Sequence, residues 1–147
     1  ARFDTSVANI GTSAFILGDP TTNPNTVYDP CHQHYHYSEW VEYQVFAEDD
    51  TLQQQTLIDG FKQGFCLMDI APYPDYPGNK SLISPVAQYD CSHQGVSVGW
   101  MDVYPEHITC QFVDITEFEA GTYTLKAIVN PNNAVTELDT TNNEAST

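Results

Sequence analysis

Cys31-His32-Gln33-His34-Tyr35-His36 holds three of the five histidines at a spacing of two residues. If the stretch is a strand, that spacing puts all three imidazoles on one face, where they can converge on one ion. Imidazole is a preferred donor for copper and zinc, and three ligands leave positions open for water or substrate. The residues alone do not choose between the two metals. The triplet is internal and interrupted by Gln33 and Tyr35, which distinguishes it from an expression tag.

The elements that must position the triplet read as strand, turn, strand. Residues 2–10 alternate, with Phe3, Thr5, Val7 and Asn9 on one side, and Gly11 ends the run. Residues 18–30 carry Gly18, Pro20, Pro24 and Pro30 and read as a loop that cannot continue a sheet. Residues 40–47 and 51–58 predict a hairpin around Glu48-Asp49-Asp50. Residues 71–81 form a proline-rich excursion, and 82–95 look irregular. The cleanest strands are 108–115 and 122–129, with a turn at Glu119-Ala120-Gly121. No segment sustains a helical period, so the pattern predicts an all-β, single β-sandwich-like domain over 1–147 with long irregular loops.

Composition narrows the function classes. The chain has 147 residues, 20 acidic against four basic, and a net charge of −16. Such a charge repels nucleic acid phosphates and excludes DNA or RNA as partners, while it attracts cationic molecules such as amines. No apolar run approaches the ~20 residues a membrane-spanning helix needs. No leader is visible, and the chain begins directly in what reads as a strand. Four cysteines, Cys31, Cys66, Cys91 and Cys110, without a C-x-x-C pair, suit two disulfides in an oxidising, extracellular setting. Asn79-Lys80-Ser81 is a glycosylation sequon that agrees with secretion.

Four segments, in order, carry a resemblance to one family. CHQHYH, followed by the aromatic-rich SEWVEYQVF, is similar to the copper-binding histidine motif of lysyl oxidases. Lys62-Gln63-Gly64-Phe65-Cys66-Leu67 resembles the family segment that gives the cofactor lysine. GVSVGWMDVY, residues 95–104, resembles the one that gives the cofactor tyrosine, and Cys110-Gln111-Phe112-Val113-Asp114-Ile115-Thr116 resembles a further signature. GTYTLKAIVNPNNAVTELDTTNN also matches, so the resemblance covers nearly the whole chain.

The resemblance implies a secreted copper-dependent amine oxidase that turns primary amines, including lysyl side chains of proteins, into aldehydes, with hydrogen peroxide and ammonia as co-products. Its organic cofactor would be lysine tyrosylquinone, made from Lys62 and Tyr104, with His32, His34 and His36 holding copper. Asp102 and Asp114 are the candidate bases that remove the substrate's α-proton. The resemblance also implies a Cys66–Cys91 disulfide, leaving Cys31 and Cys110 to each other. A further disulfide of the animal enzymes, with one half at the Trp100 position, is absent, which suggests a shorter microbial type. The chain stops four residues past Asn143, so the last strand of the family is expected to be missing and a sheet edge left open. That edge motivates a second reading: a noncatalytic structural or adhesive subunit that forms a homo-polymer by strand complementation and keeps a metal at the triplet.

Overall fold

The computed structural model describes residues 1–30, 32–47, 55–56, 65–108 and 111–147. It is nearly all β. The strands are β1 (Thr5–Ala8), β2 (Phe15–Gly18), β3 (Thr26–Asp29), β4 (His34–Tyr37), β5 (Val41–Ala47), β6 (Gln55–Thr56), β7 (Ala71–Pro72), β8 (Gln94–Val96), β9 (Trp100–Tyr104), β10 (Tyr123–Val129) and β11 (Glu144–Ser146). One turn of 3₁₀ helix covers Lys80–Leu82. No helix among the described residues is long and apolar enough to cross a membrane. The chain divides into two compact units, one from Ala1–Phe3, Glu39–Gln63 and Glu106–Thr147, the other from Asp4–Ser38 and Gly64–Pro105.

The first unit is organised by an antiparallel sheet of order β11-β10-β5-β6. Its β5 alternates as a half-buried strand should: Val41, Tyr43 and Val45 are buried and Glu42 and Gln44 are half-buried. Each such buried side chain contributes about 1.5–3 kcal/mol through burial. Seven consecutive pairs, from Tyr123↔Ala47 to Val129↔Val41, join β10 to β5. The expected hairpin is present as Gln55 and Thr56 facing Phe46 and Val45, while its turn lies outside the described residues.

Two expectations for this unit are corrected. Residues 144–146 do form a strand, paired with Ile128, Ala127 and Lys126 of β10, although among the described residues β11 stands at the edge of its sheet and so leaves the edge open as expected. The run 108–115 does not form a ladder over its described residues. Gln111 and Val113 are buried two residues apart, but the backbone bonds make no ladder: the Val113 N–H donates to the Ala1 carbonyl at 2.9 Å, while the Ile115 carbonyl accepts the Phe118 N–H in a turn. The Asp114 carboxylate then captures the Thr116 N–H at 2.9 Å and its hydroxyl at 2.6 Å, turning the chain.

The second unit holds the sheets β1-β9-β7, β2-β8 and β3-β4. Here the reading of 18–30 as pure loop is corrected, because Thr26–Asp29 pairs with His34–Tyr37 along its full length. Pro24 and Pro30 bracket this strand rather than interrupt it, so no ladder donor is lost. In β9 the residues Trp100, Asp102 and Tyr104 are buried and alternate with half-buried Met101 and Val103. Buried Gln94 ties β8 to the histidine strand: its Nε2 donates to the Tyr35 carbonyl at 2.7 Å. Buried Asp69 gathers the Gln88 and Ser97 N–H groups, each at 2.8 Å, and the Ser97 hydroxyl at 2.7 Å. These bonds hold the irregular stretch before β8 against the core.

Candidate metal centre

The β3–β4 hairpin builds the triplet. The register pairs Asp29 with His34 and Val27 with His36, so His34 and His36 share one face of β4. His32 does not lie on the strand. Gln33 adopts a left-handed backbone, φ 60°, and its N–H donates to the Asp29 carbonyl at 2.8 Å. That turn, rather than strand periodicity, brings His32 round to its companions.

The three imidazoles converge. One ring nitrogen from each of His32, His34 and His36 can be chosen so that all lie within 4.8 Å of one another. Nε2 of His34 and Nε2 of His36 are 3.0 Å apart. Two imidazole nitrogens at right angles around one ion, each at about 2.0–2.1 Å, would be about 2.9 Å apart. The spacing therefore fits the near-right angles of a tetragonal copper site more closely than the wider angle of tetrahedral zinc. His36 is buried, and His32 and His34 are half-buried.

Asp29, which the sequence reading passed over, organises the set. Its Oδ2 lies 3.2 Å from Nδ1 of His32 and 3.2 Å from Nδ1 of His36. A carboxylate on Nδ1 fixes the ring orientation and leaves Nε2 to meet an ion, the usual outer partner of a metal-binding histidine. The available signal was a carboxylate three residues before His32, at the end of a strand that had been read as loop.

A cleft of about 430 Å³ opens onto His34, walled by Tyr28, Tyr35, Asp19, Cys91 and Ser92 among others. The hydroxyl and N–H of Thr21 hold the Asp19 carboxyl below the usual carboxylate range. Asp19 thus places a negative charge at the cleft, suited to drawing in a cation. Tyr28 and Tyr35 meet edge to face, with centroids 5.3 Å apart.

Beside the triplet lies the Cys66–Cys91 disulfide, formed as the resemblance implied. Its two sulfurs and one ring nitrogen of His34 also lie within 4.8 Å of one another. On the backbone side of Cys66, the Tyr104 hydroxyl oxygen lies 3.0 Å from its carbonyl oxygen, one of two acceptors for the single phenol proton. The same phenol contacts Oδ2 of Asp102, which also accepts the Met68 N–H at 3.3 Å. Asp102 and Tyr104 are buried, and the Phe65 ring packs 4.2 Å from that of Tyr104.

The other expected residues separate from this cluster. Lys62, Cys31 and Cys110 lie outside the described residues. Asp114 is exposed and held below the usual carboxylate range by the Thr116 hydroxyl and N–H, so it serves a turn in the first unit. Asn79 is exposed and caps the 3₁₀ turn through the Ser81 N–H.

The family model described as lysyl oxidase matches residues 1–147. The chain is 37% identical over 144 residues to human protein-lysine 6-oxidase, covering 97% of this chain and 31% of that protein. It is 36% identical to lysyl oxidase homolog 2 of Xenopus tropicalis and 34% to lysyl oxidase homolog 3A of Danio rerio, covering 97% of this chain in both cases and 17% and 18% of those proteins. It thus spans between about a sixth and a third of the length of these relatives. With its histidine hairpin, disulfide and buried tyrosine in one unit and the match running from end to end, the chain belongs to the lysyl oxidase family.

Proposed function

We propose that residues 1–147 form a secreted, copper-dependent amine oxidase domain acting on primary amines, lysyl side chains of proteins among them. The supporting observation is the placement of Tyr104: its buried hydroxyl sits on the carbonyl of Cys66, whose sulfur neighbours His34. In this reading Nε2 atoms of the triplet hold copper, and a quinone made from Lys62 and Tyr104 supplies the electron sink for amine oxidation.

The chain's own groups then have definite tasks. Asp102 Oδ2 holds the phenol proton of Tyr104 before maturation and afterwards serves as the base for the substrate's α-proton. The Met68 N–H orients that carboxylate. Phe65 covers the Tyr104 ring and keeps water from it. Asp19 draws the substrate ammonium into the cleft beside His34. The disulfide supports an extracellular location, and the exposure of Asn79 is compatible with glycan attachment there.

Peptide mapping of copper-loaded protein tests the reading. A Lys62–Tyr104 cross-linked peptide with the mass of a quinone is expected. Unmodified Lys62 and Tyr104 in folded, copper-loaded protein would overturn it and favour the noncatalytic alternative, whose motive of a missing last strand is weakened by the pairing of Glu144–Ser146.

A further inference from the structure

We infer that Cys66 and Cys91, once their disulfide is reduced, form with His34 a second metal site, selective for copper(I), with the Met68 thioether as an additional donor. The three potential ligand atoms already lie within 4.8 Å of one another. Met68 Sδ is 3.8 Å from Cys91 Sγ. Two thiolates, an imidazole and a thioether are a soft donor set, the kind that selects copper(I) over harder ions. The sulfurs of an intact disulfide lack the anionic charge that makes thiolate a ligand, so the site exists only in the reduced state.

Access and burial agree with this assignment. Cys91 and His34 both line the 430 Å³ cleft, which gives a small reductant and an incoming ion a route to the sulfurs. Cys66 is only 5% exposed. A thiolate buried to that degree needs a positive partner, and a bound cation supplies one.

The chemistry balances with a small thiol as reductant. Two thiol molecules give two electrons and two protons to the Cys66–Cys91 bond, leaving two cysteine thiols and one small-molecule disulfide. Copper(I) then displaces both thiol protons without changing its own oxidation state. His34 belongs to both donor sets, since its ring nitrogens lie within reach of those of His32 and His36 on one side and of the Cys66 and Cys91 sulfurs on the other. One ion cannot occupy both sets fully, so the redox state of the cysteine pair decides whether His34 serves the triplet or the sulfur site. This inference does not depend on the amine oxidase reading.

The test is anaerobic titration of the full chain with copper(I), presented as its bicinchoninate complex, before and after phosphine reduction, with copper X-ray absorption on the product. A Cys31→Ser, Cys110→Ser background keeps those two thiols from contributing, and circular dichroism checks folding. Reduced protein is expected to take one copper(I) with sulfur scatterers. Cys91→Ser should abolish them and weaken binding by more than about a hundredfold, beyond the range of an outer-shell change. Met68→Leu, which leaves both cysteines in place, should weaken it by about tenfold. His36→Ala should leave copper(I) affinity of the reduced form within about threefold while weakening metal binding by the oxidised form. Nitrogen-only scattering in the reduced protein, or unchanged affinity in Cys91→Ser and Met68→Leu, would overturn the assignment.

Discussion

Tyr104 and Asp102 stand two residues apart on β9, face the same buried side, and are joined phenol to carboxylate. A buried carboxylate so placed has two functions to offer, orienting the ring and carrying a proton. Asp102→Asn keeps the shape and removes the basicity. It should lower kcat/KM for amine oxidation by about 10²–10⁴-fold, measured as peroxide release. Peptide mapping of the same variant separates failed quinone formation from failed turnover. A loss below tenfold with the cross-link intact would remove Asp102 from the role of base.

Asp29 braces two histidines with one oxygen. Asp29→Asn should lower copper affinity by about 10–100-fold, read by chelator competition. Unchanged affinity would mean that the hairpin alone orients the rings.

Gly95 in β8 leaves no room for a side chain. A Cβ there would lie 2.5 Å from the Phe15 carbonyl oxygen and 2.7 Å from Tyr89 Cδ1. Gly95→Ala should therefore destabilise the protein by about 1–3 kcal/mol in a denaturant titration, since neither backbone nor a packed ring yields easily.

Asp19, Asp90, Asp114 and Asp139 are each held below the usual carboxylate range, first by the hydroxyl and then by the N–H of a Ser or Thr two residues on. A carboxyl whose folded pKa is depressed stabilises the protein above its unfolded value, about 3.9, and loses that contribution as pH falls through the lower folded value. The difference in Tm between wild type and Asp139→Ala should be full at neutral pH and close on acidification below about pH 4. A difference that persists in strong acid would show that the Thr141 contacts do not depend on the charge.

The histidine triplet was legible because chemistry fixes residue type and spacing together. Its geometry was less so: periodicity put all three rings on a strand, whereas the left-handed backbone at Gln33 places His32 on a turn. Asp29 was hidden for a related reason. Prolines on either side made 18–30 look like loop, and a four-residue strand between them carries too short a pattern to register. The run 108–115 read as a clean strand, and its Gln111 and Val113 are indeed buried two residues apart. Burial pattern reports which way side chains face, though, and not whether a second backbone is present to complete a ladder.

The Lys126–Glu144 contact between β10 and β11 has a wider meaning for a domain proposed to attack amines. The chain has only three lysines, Lys62, Lys80 and Lys126. Lys62 would be consumed in making the cofactor. The Lys126 ammonium lies 2.6 Å from the Glu144 carboxylate, and a charged amine held in an ion pair is a poor nucleophile. If these residues act as the proposed oxidase, copies of them meeting at high concentration would have few lysines besides Lys80 to offer one another, and a lysine-poor surface would spare the catalyst from tanning itself.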